Sequence, residues 1–291
     1  MGGNFAAALA TALGVPVLAV SFALAAHARG AAATTAPAPA PPATQPRVPA
    51  APEPARAPAP LPALHADDPI VPLPVEGFAD AVVSVPQGAT SPRPVVVAAH
   101  GKWDPPDGLC DDQRWIFGDH AWVVCPRGQP TPDGKTRFTS ADALEREIDA
   151  DLRALAARYP GYVDERAMLY TGFSLGAILG VHVIARDPAR FPRAVLIEGG
   201  DDQWTRALAA KYAAGGGQRV FFACGLRARV PAAERAARLL EKAGVGARVV
   251  LGKLPETGQF IHWYNGPIAA ETVAAEPWLF EGDPRWGAPT R

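Results

Sequence analysis

A serine stands between two glycines in the stretch Gly172-Phe173-Ser174-Leu175-Gly176. An apolar run over residues 167–170 precedes this stretch, and a small-residue pattern of helical period follows it over residues 175–185. A strand, a sharp turn and a helix in this order form a nucleophile elbow, which exposes the serine hydroxyl at the end of the strand. The helix would direct free N–H groups and the positive end of its dipole at negative charge that develops on a bound acyl group. The pattern therefore predicts that Ser174 is a nucleophile.

A serine hydroxyl is a weak nucleophile and needs a base within hydrogen-bond distance. In a sheet that carries such an elbow, the partners follow along the chain in the order serine, acid, histidine. His262 follows the predicted strand over residues 247–251 by one loop, which is where a base has to lie to reach Ser174. We therefore predict that His262 is the base, with an ordinary half-buried loop histidine as the alternative.

The acid that would orient His262 is missing from the expected place, which is the turn after the predicted strand 219–224. The stretch 225–231 contains no carboxylate. The turn after the preceding strand offers Glu198 at the strand tip, followed by Asp201. We predict Glu198 as the acid and keep Asp201 as the alternative. A serine–histidine pair without an acid also stays open, at a large cost in rate.

An oxyanion hole would complete this chemistry. The backbone N–H of Leu175 is one predicted donor, and the N–H of Gly101 or Lys102, directly after a predicted strand, is the other. Three aromatic residues close to these positions in sequence predict a substrate pocket for an apolar acyl or aromatic group, with a place in the core as the alternative; they are Trp103, Trp263 and Tyr264.

Alternating short apolar runs and helical patterns predict the elements that position these residues. The predicted strands cover residues 79–85, 94–99, 121–125, 167–173, 194–198, 219–224 and 247–251, and the predicted helices cover residues 141–158, 175–186, 204–214, 232–243 and 268–279. This order predicts an α/β fold with a mostly parallel sheet and helices on both faces. The segment between residues 198 and 224 has room for about one helix, so we expect no large lid.

With these residues in place, the chain resembles the α/β-hydrolase superfamily over nearly all of residues 79–279. Within the superfamily it is similar to dienelactone-hydrolase-like and polyhydroxybutyrate-depolymerase-like esterases. The resemblance rests on the elbow around Ser174, on His100-Gly101 after a strand, and on His262 after the last strand. It implies an ester substrate, small or polymeric, with Ser174 as the nucleophile and His262 as the base. It also implies Leu175 with Gly101 or Lys102 as the oxyanion donors.

Other functions stay open at this point. The absent carboxylate after residue 224 allows a catalytically degraded binding protein of the same fold, and a peptidase or an acyltransferase would use the same residues. The 291-residue chain has a formal net charge of −1 and no block rich in Lys or Arg, which argues against a nucleic-acid partner. Because it shows no metal-ligand spacing, phosphate loop or dinucleotide motif, we expect no metal and no cofactor.

The N-terminal part has the composition of a targeting segment and a linker. Residues 5–26 are almost wholly apolar, which predicts a signal peptide or an uncleaved membrane anchor over residues 1–28. Residues 29–69 are rich in Ala and Pro and predict a disordered linker, and residues 70–291 form the predicted catalytic domain. We therefore expect a periplasmic or extracellular protein, or one tethered to the membrane by its N-terminal segment.

The cysteines agree with an exported protein. Cys110 and Cys125 lie at a spacing that a disulfide bridges readily in an oxidising compartment, whereas Cys224 lies in an apolar run and is expected to be a buried free thiol. The alternative is that all three are small buried residues.

Overall fold

Strands and helices alternate along the part of the chain that the structure, a computed structural model, describes, namely residues 60–252 and 262–286. The strands are β1 (Ile70–Leu73), β2 (Ala81–Ser84), β3 (Arg93–Ala99), β4 (Trp122–Cys125), β5 (Gln129–Pro130), β6 (Thr136–Arg137), β7 (Val163–Phe173), β8 (Arg193–Ile197), β9 (Arg219–Cys224) and β10 (Gly246–Leu251). The α-helices are α1 (Pro106–Phe117), α2 (Ala141–Arg158), α3 (Leu175–Ile184), α4 (Arg206–Ala214), α5 (Val230–Lys242) and α6 (Pro267–Leu279).

Eight strands form one sheet in the order β1-β2-β4-β3-β7-β8-β9-β10. The pairs β1–β2 and β2–β4 are antiparallel, and the remaining pairs from β4 to β10 are parallel. This architecture confirms the predicted α/β fold with a mostly parallel sheet. The carboxyl ends of β3, β7, β8 and β9 therefore meet at the same edge, where open α/β sheets bind their ligands.

Both faces of the sheet are buried. Successive residues of a strand point to opposite sides of the sheet, so neighbouring strand residues belong to different cores. Val95 and Val97 of β3 belong to one core, whereas Val96 and Ala98 belong to the other. The first core includes the apolar stripe of α2, and the second includes residues of α1 and α6. Helices thus cover both faces, as the sequence predicts.

Helix α1 is not among the predicted helices; it begins directly after Pro105 and carries mostly polar residues besides its short apolar side. Pro106 opens the helix, where its missing N–H costs nothing. The helix places Cys110 beside Cys125 at the end of β4, with 5.9 Å between their Cα atoms, and the two form the predicted disulfide. Cys224 is a buried free thiol, as expected.

The folded part begins before residue 70, where the sequence analysis placed its start. The N–H groups of Leu61 and Leu64 donate to the carbonyls of Thr90 and Ala89, at 2.8 and 2.9 Å. The predicted signal peptide or anchor and most of the predicted linker lie outside the described residues. Within residues 60–252 and 262–286, no helix has the length and hydropathy needed to cross a bilayer.

One carboxyl group inside the core makes stability depend on pH. Asp151 of α2 is fully buried, and neither of its side-chain oxygens has a hydrogen-bond partner among the described residues. Burial, assisted by the nearby charge of Glu147, raises the pKa of Asp151 well above its usual value. The folded state then binds a proton that the unfolded state has lost, so this group's contribution to stability is full below about pH 4 and is lost as pH rises through the raised pKa.

We therefore expect Asp151→Asn to raise the free energy of unfolding at pH 7 by about 1–3 kcal/mol. The aspartate is charged in the unfolded state and has to be neutralised on folding, whereas the asparagine amide is neutral in both states. The matched control is Asp149→Asn on the same helix, which removes the negative charge that pairs with Arg190 at 2.7 Å. That ion pair lies near the surface, so the loss of its charge should cost about 0–1 kcal/mol. Urea unfolding of both variants at pH 5 and pH 8 measures the effect. A lower stability of Asp151→Asn at pH 8 contradicts the argument.

Candidate active site

The turn between β7 and α3 has the geometry of a nucleophile elbow. Ser174 links the two elements with φ 49° and ψ −109°, a conformation that residues with a Cβ rarely adopt. Its N–H donates to the carbonyl of Ile197 at 2.8 Å, which fixes the turn to the neighbouring strand β8. The bend places Ser174 at the carboxyl edge of the sheet, directly before the first N–H groups of α3.

The two glycines of the elbow are required by close backbone contacts. A Cβ added to Gly172 would lie 2.7 Å from the backbone nitrogen of Ala177, and one added to Gly176 would lie 2.0 Å from the carbonyl oxygen of Ala99. Only a residue without a side chain allows these approaches. Gly176 thereby brings the beginning of α3 against the end of β3, where the predicted second oxyanion donor lies.

The structure brings together three side chains that the sequence analysis selected from distant parts of the chain. His262 Nε2 lies 3.3 Å from Ser174 Oγ, and His262 Nδ1 lies 2.7 Å from Glu198 Oε2. A carboxylate can only accept hydrogen bonds, so Nδ1 carries the imidazole proton and donates it to Glu198. Nε2 is then free to accept the hydroxyl proton of Ser174.

Glu198 is held in place by the loop that the sequence analysis expected to supply the acid. The residue is 1% exposed, and it follows β8 with φ 53°. The Oε1 atom accepts hydrogen bonds from the N–H groups of Gly225 and Leu226, which directly follow β9. Arg229 Nε lies 3.9 Å from the other oxygen, Oε2. The turn after β9 thus provides donors in place of a carboxylate.

Asp201, the alternative acid, has a different partner. Its Oδ1 accepts a hydrogen bond from Arg229 Nη1 at 2.5 Å. The contact joins Asp201 to the same arginine that approaches Glu198, so Asp201 helps to position Arg229. Of the two candidate acids, Glu198 is the one that contacts His262.

Two of the predicted oxyanion donors, Lys102 and Leu175, line the same cleft, which has a volume of about 270 Å³. Gly101 is buried, and a Cβ added there would lie 2.8 Å from the ring of Phe173. The loop after β3 therefore needs a glycine to pass this close to the elbow.

His100, directly before this loop, has a structural role. Its Nδ1 lies 2.7 Å from the carbonyl oxygen of Gly101 and its Nε2 lies 2.8 Å from that of Arg127, and its ring packs against Phe138 at 4.6 Å. Burial lowers the pKa of His100, and the two carbonyl contacts oppose this effect. These contacts fix the backbone that precedes the predicted oxyanion donors.

Aromatic rings surround the base. Phe173 packs under the His262 ring at 5.0 Å, and Tyr264 packs edge-on against Phe173 at 4.8 Å. Tyr264 is only 5% exposed and faces α1, so it supports the site from the core instead of lining an open pocket as the sequence analysis expected. Trp263 and Trp103 are 38% and 51% exposed.

Backbone strain is concentrated here. Among the described residues, four non-glycine residues have a positive φ, and three of them are Trp103, Ser174 and Glu198. Such conformations cost about 1–3 kcal/mol each and are enriched at functional sites. The clustering therefore marks this edge of the sheet as the site, independently of the residue types.

Two contributors were not found from the sequence. Asp104 lies beside Gly101, and burial raises its pKa, while charges on His100 and His262 lower it. Arg229 approaches the acid from the loop after β9. Neither belongs to a recognisable motif, because only the packing of separate loops brings them to the site. Within the described ranges, no group of three or more His, Cys, Asp or Glu side chains could hold a metal ion.

No protein-family model matches the chain, and no curated protein resembles it in sequence. Solved structures do resemble it. A thermostable esterase aligns with 73% of the chain at 18% identity and a TM-score of 0.51, and the chain spans 62% of that protein. A proposed dienelactone hydrolase from Klebsiella pneumoniae aligns with 73% of the chain and 97% of its own length, at 17% identity and a TM-score of 0.51. A Thermus thermophilus protein aligns with 72% of the chain and 97% of its own length, at 15% identity and a TM-score of 0.52.

Proposed function

We propose that this chain, which has the α/β-hydrolase fold, hydrolyses carboxylic esters through an acyl-enzyme on Ser174. The observation that carries the proposal is the continuous contact from Ser174 Oγ to His262 Nε2, at 3.3 Å, and from His262 Nδ1 to Glu198 Oε2, at 2.7 Å. A hydroxyl, an imidazole and a carboxylate in this order activate a serine for attack on a carbonyl carbon.

The reaction proceeds in two halves. His262 Nε2 takes the hydroxyl proton as Ser174 Oγ bonds to the carbonyl carbon, and the N–H of Leu175 with that of Gly101 or Lys102 holds the resulting oxyanion. When the tetrahedral intermediate collapses, the ester C–O bond breaks and His262 returns the proton to the leaving alcohol. A water molecule then gives a proton to His262 and attacks the acyl carbon. The bond between that carbon and Ser174 Oγ breaks, and His262 returns the proton to Oγ, which releases the acid and restores the Ser174 hydroxyl.

Glu198 stabilises the imidazolium that forms in each half. Its Oε2 accepts from Nδ1, while Oε1 is occupied by two backbone N–H groups, so the carboxylate cannot turn away from His262. This contact argues against the alternative of a catalytically degraded binding protein, which was suggested by the absence of an acid after β9. The substrate is a small or polymeric ester that reaches an exposed site.

Export is part of the proposal. The Cys110–Cys125 disulfide is typical of proteins in oxidising compartments. Together with the apolar N-terminal segment it supports a periplasmic or extracellular location, with a membrane tether through an uncleaved segment as the alternative.

A fluorophosphonate probe tests the proposal directly, because it labels only a serine that a base has activated. We expect complete labelling of the purified protein, with mass spectrometry placing the adduct on Ser174. The matched control is Ser140→Ala, which removes the helix-capping serine of α2 and leaves labelling unchanged. Absence of labelling in a folded protein, or an adduct on another residue, contradicts the proposed function.

A further inference from the structure

The cleft beside the predicted oxyanion donors carries positive charge. Its lining residues include two cations and no carboxylate: they are Lys102, Arg137, Phe138, Thr139 and Leu175. The volume of about 270 Å³ is sufficient for a small organic group. Because Leu175 directly follows Ser174, a substrate whose carbonyl carbon lies at Ser174 Oγ extends one of its ends toward this cleft.

Hydrogen bonds hold together the two segments that carry these cations. The N–H of Trp103 donates to the carbonyl of Thr136 at 2.9 Å, and the hydroxyl of Thr136 donates to the carbonyl of Asp104 at 2.7 Å. These bonds attach the β5–β6 hairpin to the loop after β3, so Arg137 of the hairpin and Lys102 of the loop line the same cleft. The buried Phe138 packs against His100 and also lines the cleft.

Within residues 60–252 and 262–286, the two cations have no partner of opposite charge. No carboxylate of the described residues forms an ion pair with either Lys102 or Arg137. Lys102 Nζ instead lies 4.1 Å above the Trp103 ring, where it covers apolar surface that the sequence analysis assigned to an apolar substrate. Lys135, also on this hairpin, differs in this respect because its Nζ lies 3.5 Å from Asp133.

We infer that the site prefers esters that carry a carboxylate on the part extending from the scissile bond into this cleft. This inference rests on the proposed function. A guanidinium donates paired hydrogen bonds to a carboxylate, an ammonium adds a second charge, and the Thr139 hydroxyl can donate a third contact. Hydrogen bonds to charged groups are worth more than neutral ones, so the preference should be measurable in kcat/KM.

Two pairs of esters test the inference. The acyl pair is p-nitrophenyl hydrogen adipate and p-nitrophenyl hexanoate, and the alcohol pair is 4-acetoxybenzoate and phenyl acetate. The readout is the ratio of kcat/KM for the charged ester to that for the neutral ester, after subtraction of the uncatalysed rate. We expect a ratio above one in at least one pair, and a smaller ratio at high ionic strength.

Substitutions assign the preference to the cleft. Arg137→Gln should lower the ratio about tenfold, whereas Arg137→Lys, which keeps the charge, should retain most of it. Lys135→Gln is the matched control, because it removes a cation from the same hairpin that already has a partner, and it should leave the ratio unchanged. Each ratio is taken within one variant, so a general loss of active protein does not alter it.

The outcomes separate this inference from the proposed function. If neutral esters are hydrolysed in a Ser174-dependent way but the ratio is below one in both pairs, or does not respond to Arg137→Gln, the inference is wrong and the esterase remains. If no ester is hydrolysed and Ser174 is not labelled by a fluorophosphonate, both are wrong.

Discussion

Replacing Ser174 with alanine is expected to lower kcat for a p-nitrophenyl ester by about 10⁵- to 10⁶-fold, because the variant has no atom that can form the acyl-enzyme. The structure indicates that the fold survives this change. Ser174 forms no side-chain cap with α3, and alanine has the same Cβ in the same strained backbone. Circular dichroism and thermal unfolding should therefore match the unmodified protein within a few degrees.

The double variant with His262→Ala sharpens this test. If Ser174 and His262 act as one unit, the double variant should be no less active than Ser174→Ala alone, because the base has no function without the nucleophile. Hydrolysis of the p-nitrophenyl ester by Ser174→Ala at more than about one-hundredth of the original rate would assign the activity to another group. A further loss on removing His262 would do the same.

The elbow could be predicted from the sequence because its signal is local. Gly172 and Gly176 flank Ser174 within one turn, and their contacts with Ala177 and Ala99 show why no larger residue fits. The base was accessible through chain order, since His262 follows the last strand. The catalytic roles of these residues stay predictions, although their geometry agrees with them.

The surroundings of the site could not be predicted, because they arise from contacts between distant loops. Gly225 and Leu226 donate only through their backbone N–H groups to Glu198, and a backbone contact of this kind cannot be predicted from the residue types. The cationic cleft depends on β5 and β6, each of two residues, which are too short to show a period. Helix α1 has a proline at its first turn and a mixed polar surface, so its pattern is weak.

The substitution Glu198→Gln tests whether the acid of the site lies after β8 and not after β9. We expect kcat for a p-nitrophenyl ester to fall by about 10⁴-fold, the size of the effect when the orienting carboxylate of a serine–histidine–acid site becomes an amide. The matched control is Asp201→Asn, which changes the neighbouring acid that contacts Arg229 instead of His262. This control should lose less than about tenfold, since it acts only through the arginine.

The size of the effect follows from the two backbone donors at Glu198. The N–H groups of Gly225 and Leu226 both donate to Oε1, so the amide introduced by Glu198→Gln has to place its oxygen there. The NH₂ group of that amide then faces His262 Nδ1, which has to become an acceptor, and the imidazole proton moves to Nε2. Nε2 can no longer accept the proton of Ser174, so the base has the wrong tautomer although every side chain is in place. Fluorophosphonate labelling should slow in parallel with ester hydrolysis, because both require the activated hydroxyl. If Glu198→Gln retains more than about one-tenth of the activity while Asp201→Asn does not, the acid is Asp201 and the contact between Glu198 and His262 is structural.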